Sequence, residues 1–317
     1  MSTGRKVIWG IVALILLIII AGVFLFWRYP IAIGIRIERR ELANAGFQKT
    51  TLQGPTPLVV WQAGSGPPLI LLHGAGDHAG AWSKVAPQLT GRYRVIIPDQ
   101  PGHGESAPKE GPLSLGTVLA GLNSAVEQCS GGQPVILAGN SMGAWIAMLY
   151  AREHPGRVAR VVAVNGGALL GRTDVSLLPA DREEARKVMA LLRDPGSLQY
   201  PDFVLDDVVR SSRSGPIGRM LATGAEMKTY LLDGKLNEVR VSVDMVWGES
   251  DQLLSLDYAR KMQEQLPVAR LTTIPHCGHS PLRECPIAFT AALKNVLQQP
   301  PPEPNPAPVA TSSEKKK

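Results

Sequence analysis

The segment PVILAGNSMGAWIAMLYAREHP, residues 134–155, constrains the fold more than any other part of the chain. A short apolar run of strand character meets a helix-compatible run, and only Gly139-Asn140-Ser141-Met142-Gly143 lies at the junction. A serine held on so sharp a turn adopts a strained backbone and presents its hydroxyl outward. Glycines at the flanking positions let the neighbouring backbone approach without a side-chain clash. Ser141 is therefore a candidate nucleophile, with Gly139 and Gly143 supporting its turn.

The rest of the core repeats this alternation. Short β-branched or aliphatic runs recur at 57–61, 69–72, 93–97, 135–138, 160–164, 243–247 and 270–274, separated by helix-compatible stretches. Several are apolar at nearly every position, as strands buried on both faces must be. The expected fold is α/β, a mostly parallel sheet with helices on both faces, in a domain over residues 51–298. The first strand can pair as a hairpin with the stretch around 47–52. From about 168 to 238 the strand pattern lapses. Residues 172–235 carry ten basic and ten acidic side chains and read as a helical cap inserted above the strand ends, where open α/β sheets bind ligands. Asp181 and Glu184 form a capping box, with Ala185, Val188, Met189 and Leu192 on one face. Met189, Met220 and Met227 either line the cap's inner surface or pack it onto the sheet.

The flanks differ from the core. Val7–Trp27 is a 21-residue run without a charge, long enough as a helix to cross the roughly 30 Å apolar layer of a bilayer. Its length and its Phe24-Leu25-Phe26-Trp27 ending fit a retained single-pass anchor (residues 1–28) better than a cleaved signal peptide. A juxtamembrane linker (29–50) follows. Arg28, Arg36, Arg39 and Arg40 outnumber Arg5 and Lys6, but charge bias weakens beside a large domain, so the membrane side stays open. Residues 299–317 are Pro-rich, then polar, and read as a disordered tail. The net charge of +6 sits on these flanks: residues 1–50 carry seven Lys/Arg against two Glu, whereas residues 51–300 carry 23 of each sign. Nucleic acid is thereby excluded as a partner. The three cysteines, Cys129, Cys277 and Cys285, are too few and too irregularly spaced for a disulfide framework, and Cys277 reads as a packing residue.

A serine hydroxyl needs a base. His279, in IPHCGHSP after the last strand, follows a glycine that allows a tight loop over the sheet; His276 is its rival. The imidazole in turn needs a carboxylate to fix its tautomer, and Asp251, at the end of VDMVWGESDQLL, fits better than Glu249. Two backbone N–H groups must face the developing oxyanion, and Met142 and Ala75 are placed to supply them. His73, beside Ala75, shapes its loop, and Asp99 and His103 brace the turn PDQPGHGES. No set of residues has metal-ligand spacing, and the chemistry calls for no cofactor.

HGAGDHAGAW, DQPGHGES, GNSMGAW, WGESDQ and CGHSP occur together in an order and spacing that resemble the α/β-hydrolase superfamily over roughly residues 50–298. The chain order Ser141, Asp251, His279 is also similar to that group's. Where some relatives carry the acid after an earlier strand, this chain has the neutral Asn165. The resemblance lies with lid-bearing esterases and lipases, including membrane-anchored monoacylglycerol lipases, and implies a serine hydrolase cleaving esters of apolar acyl chains, lipid esters among them. Two readings stay beside it: carbon–carbon bond hydrolysis or perhydrolysis on the same triad, and a non-catalytic binding protein. Against the first, GAGDHAG lacks the Gly-Pro-Gly turn of ring-cleavage hydrolases, and GHSPLRE lacks their Trp after the histidine.

Overall fold

The computed structural model describes residues 3–302 except 172, 173 and 175. The expected strands form one eight-stranded sheet of β1 (Gln48–Leu52), β2 (Leu58–Ala63), β3 (Pro68–Leu72), β4 (Arg94–Pro98), β5 (Val135–Asn140), β6 (Val158–Val164), β7 (Val243–Gly248) and β8 (Ala269–Ile274). Their spatial order is β1-β2-β4-β3-β5-β6-β7-β8. β1 and β2 make the expected hairpin, β2 also runs antiparallel to β4, and every other pairing is parallel.

The period of two along each strand divides the core. Ile70 and Leu72 face one layer of helices, whereas Leu69 and Leu71 face the other. Counting from the N-terminus, α1 (Thr3–Arg28) and α2 (Pro30–Asn44) precede the sheet, and α3 (Leu115–Cys129) and α4 (Met142–Glu153) cover its first face. Among the described residues, four α-helices lie between β6 and β7: α5 (Arg182–Leu192), α6 (Asp202–Ser212), α7 (Pro216–Leu221) and α8 (Gly224–Thr229). Helix α9 (Leu256–Gln265) adds to the first face, and after the short α10 (Pro281–Glu284), α11 (Pro286–Gln298) covers the second, where Trp82 and Phe289 are fully buried. Nine of the twelve residues of α4 are buried, so the helix after the serine is anchored along its whole length.

The insertion begins as its sequence indicates. Asp181 accepts from the Glu184 N–H, while the Glu184 carboxylate reaches back to the N–H of Ala180, one residue beyond the expected partner. Met220 is buried in the core and Met227 packs against it, so of the three methionines only Met189 faces the cavity described below.

Two expectations are corrected. Residues 29–50, read as a linker, contain the fifteen-residue α2. Pro30 starts it with a preset φ, the carboxylate of buried Asp207 accepts from the otherwise free N–H of Ile31, and Leu42 is fully buried. The composition is basic and mixed because one face is wet, and the sparse buried stripe was masked by its neighbours. Cys277, read as a packing residue, forms a disulfide with Cys285, their Cα atoms 5.9 Å apart. The chain reversal through α10 brings them together, which spacing alone did not reveal. Cys129 is free and buried.

Helix α1 contains a candidate span over Val7–Arg28 that is long and apolar enough to cross a membrane and is not buried in the protein. The Pro-rich tail from 303 onward lies outside the described residues.

Candidate active site

Strand β5 ends in Asn140, α4 begins at Met142, and Ser141 between them has φ 53° and ψ −117°, a conformation that costs a non-glycine residue on the order of 1–3 kcal/mol. The cost is met by crowding on every side. A Cβ on Gly139 would collide with the Gly143 backbone, and one on Gly143 would come 2.5 Å from the Leu72 carbonyl oxygen. The Ser141 N–H donates to the Val164 carbonyl at 3.0 Å, tying the turn to β6.

Around this turn the three sequence-derived side chains converge. His279 Nε2 lies 2.9 Å from Ser141 Oγ, and His279 Nδ1 lies 2.8 Å from Asp251 Oδ2. A carboxylate only accepts, so Nδ1 carries the proton and Nε2 is free to accept from the serine hydroxyl. Asp251 and His279 are both buried. Asp251 Oδ1 accepts from the N–H groups of Leu253 and Leu254, both at 2.9 Å. The rivals are elsewhere: Glu249 is bonded to Thr273 on the surface, and His276 is exposed.

The sequence singled out Asn165 only as unable to be the acid. In the structure its Nδ2–H donates to Asp251 Oδ2 at 2.8 Å, and its Oδ1 accepts from the Gly248 N–H at 2.8 Å. Asn140 similarly donates to the His279 carbonyl at 2.9 Å. Two neutral amides thus hold the loops that carry Asp251 and His279. Their signal was position alone: each is an Asn at the carboxyl end of an apolar strand.

His73 and His103 have the structural roles expected of them. His73 is fully buried, donates from Nδ1 to the Gly74 carbonyl and accepts at Nε2 from the Gln100 N–H. Burial pulls its pKa down to about 4, and burial likewise pulls that of His103 down to about 3, so both rings are neutral. Asp99 accepts from the N–H groups of Ala79 and Glu105, bracing the glycine turn.

Above Ser141 lies a cavity of about 390 Å³. Gly74, Ala75, Ser141 and His279 form its floor, and its walls are mostly apolar, with Val188, Met189 and Leu192 from the insertion and Ile217 from α7. Ile31 and Ile35 of α2 complete the wall, a contribution the sequence reading missed. Among the described lining residues Asp77 is the only ionised side chain, and none is Lys or Arg. The insertion is bonded to the site itself: the carbonyls of Leu191 and Leu192, at the end of α5, accept from the N–H groups of Gln252 and His279.

A strained serine at a strand–helix turn, with an imidazole and a carboxylate from later strand ends, defines a hydrolase site on a doubly covered sheet. The chain belongs to the alpha/beta hydrolase family, which residues 69–293 match. It is 30% identical over 248 residues, 73% of this chain and 95% of the other, to a pimeloyl-[acyl-carrier protein] methyl ester esterase of Nitrosomonas europaea. It is 28% identical over 240 residues, 68% of this chain and 82% of the other, to a 2-hydroxy-6-oxo-6-phenylhexa-2,4-dienoate hydrolase of Burkholderia cepacia. Among solved structures, a membrane phospholipase A described as a bacterial virulence factor superposes with a TM-score of 0.70, covering 92% of this chain and 98% of its own at 24% identity, a likeness of fold.

Proposed function

We propose that the protein is a membrane-anchored serine esterase that cleaves carboxylic esters of apolar acyl chains, monoacylglycerol-like lipids among them. The observation that carries this is the hydrogen-bonded relay Ser141–His279–Asp251 on the floor of an apolar cavity. His279 Nε2 takes the proton from Ser141 Oγ as the oxygen attacks the ester carbonyl. The backbone N–H groups of Met142 and Ala75 receive the negative charge that develops on the carbonyl oxygen. The imidazolium, stabilised by Asp251, returns the proton to the departing alkoxide, leaving an acyl-enzyme on Ser141. Water, deprotonated by the same imidazole, then releases the acid. No step draws on a cofactor. Helix α1 serves as the retained anchor, and the insertion serves as a cap over the site.

Carbon–carbon hydrolysis is the second reading, since dienoate hydrolases are among the relatives. The cavity speaks against it. A dienoate brings a carboxylate, no Lys or Arg among the described lining residues would pair with it, and the one lining carboxylate, Asp77, already occupies Arg283.

Fluorophosphonate labelling of the full-length protein in detergent, with Ser141→Ala alongside, tests the nucleophile. Labelling of the wild type that vanishes in the variant is expected. A folded wild type that takes no label would overturn the catalytic reading in favour of a binding protein.

A further inference from the structure

We propose that α2, the helix joining the anchor to the domain, is a wall of the acyl-chain site, and that Ile31 and Ile35 set its chain-length preference. This rests on the ester reading above and adds the element that measures the acyl group.

Ile31 and Ile35 stand one turn apart on one face of α2, and both border the cavity that opens above Ser141. The wall they form is fixed. Ile31 is held through its N–H by Asp207 of α6 at 3.1 Å. Arg39 reaches Asp99 at 3.1 Å and Glu105 at 3.0 Å, and Glu38 pairs with Arg283, which also holds Asp77. Glu41 accepts from Ser83 at 2.7 Å and from Lys84 at 2.7 Å. These bonds run to the loop after β3, to the loop after β4 and to α10, so α2 is clamped to segments on both sides of the serine. A helix clamped in this way offers its two isoleucines as a boundary against which chain length is read. The remaining wall is mostly apolar and, among the described lining residues, holds no Lys or Arg, which suits an uncharged hydrocarbon tail.

The test uses the full-length protein in detergent micelles and p-nitrophenyl esters from acetyl to dodecanoyl. Each methylene kept in an apolar site is worth about fourfold in kcat/KM. Ile35→Trp fills the wall, so the ratio of kcat/KM for decanoyl over butyryl ester should fall by at least about tenfold, the cost of excluding two methylenes. Ile35→Ala enlarges the site and should raise the ratio of dodecanoyl over butyryl. Ile37→Trp, on the exposed side of the same helix, should leave both ratios as in the wild type. Fluorophosphonate labelling reports whether each variant is folded. If Ile35→Trp misfolds, Ile35→Ala still decides. Labelled Ile35 variants whose profiles run parallel to the wild type, whatever their overall rate, would overturn the proposal, because a merely structural helix changes every ester alike. A wild type that takes the label but hydrolyses no ester would overturn the ester reading itself, and the proposal with it.

Discussion

The floor and the roof of the cavity are built on different physics. The floor is made of strand ends. Ser141 is wedged between β5 and the nearly fully buried α4, and Asp251 and His279 sit on loops bonded to the asparagines at the ends of β6 and β5. The roof rests on less. Helices α5 and α6 bury two residues each, and they meet through exposed ion pairs, Arg182 with Asp202 and Asp206, and Arg186 with Asp202. Buried apolar contact is worth far more than a solvent-exposed ion pair. The proposed catalytic side chains therefore sit on the rigid part, and the share of the cavity wall that α5 and α6 supply sits on the part that adapts most easily.

The sharpest break between the two is functional. Ser141→Ala should lower kcat by about 10⁴-fold or more toward any ester, whereas no single roof substitution should do so. Steady-state kinetics on the ester panel measures both. A roof variant that abolished all turnover would show that the two regions act as one unit.

The second prediction concerns what lies beneath the floor. His73 and His103 are neutral when folded, with pKa values near 4 and 3 against 6.5 for an ordinary histidine. Below pH 6.5 the unfolded chain binds more protons than the folded one, so stability falls with falling pH. The slope is about 1.4 kcal/mol per pH unit for each ring, and it flattens for His73 once the folded protein takes up that proton near pH 4. Urea midpoints between pH 7 and 4.5 should show the decline, and His103→Asn should halve the slope that the two rings contribute. An unchanged slope would mean that the His103 ring is not held neutral by burial.

The floor was legible from sequence, and most of the roof was not, for the same physical reason. A strand buried on both faces must be apolar at nearly every position, so β2 to β7 and the turn at Ser141 leave their mark on adjacent residues. The order Ser141, Asp251, His279 follows once those strands are in place. Helix α2 buries one stripe among Arg36, Arg39 and Arg40, and its partners Asp207, Asp99 and Glu105 lie tens of residues away. The role of Asn165 is likewise nonlocal. Its amide matters because Asp251, after the next strand of the sheet, lands 2.8 Å from it. The Cys277–Cys285 pair is local in sequence, but it depends on α10 folding the chain back.

That disulfide belongs to the floor's edge, since it closes the loop that carries His279. A cross-link over so short a loop restricts the unfolded chain by about 2.5 kcal/mol. The Cys277→Ser/Cys285→Ser double variant should lose about that much stability in urea and retain fluorophosphonate labelling, because Asn140 and Leu192 still hold the His279 backbone. Loss of labelling in a folded double variant would make the disulfide part of the catalytic geometry.

The smallest effect is expected in the roof. Arg182 makes three bonds at 2.8–2.9 Å to Asp202 and Asp206, yet all three side chains are exposed. Water and salt weaken these pairs, and holding the long arginine in place costs rotamer freedom. Arg182→Ala should therefore move the melting temperature by no more than about 2 °C. Hydrogen exchange read across α5 and α6 should quicken in the variant, while that of α4 stays as it was. If α4 quickened equally, the ion pairs of the roof would be stabilising the floor through the Leu191 and Leu192 carbonyls, and the two regions would be one cooperative body.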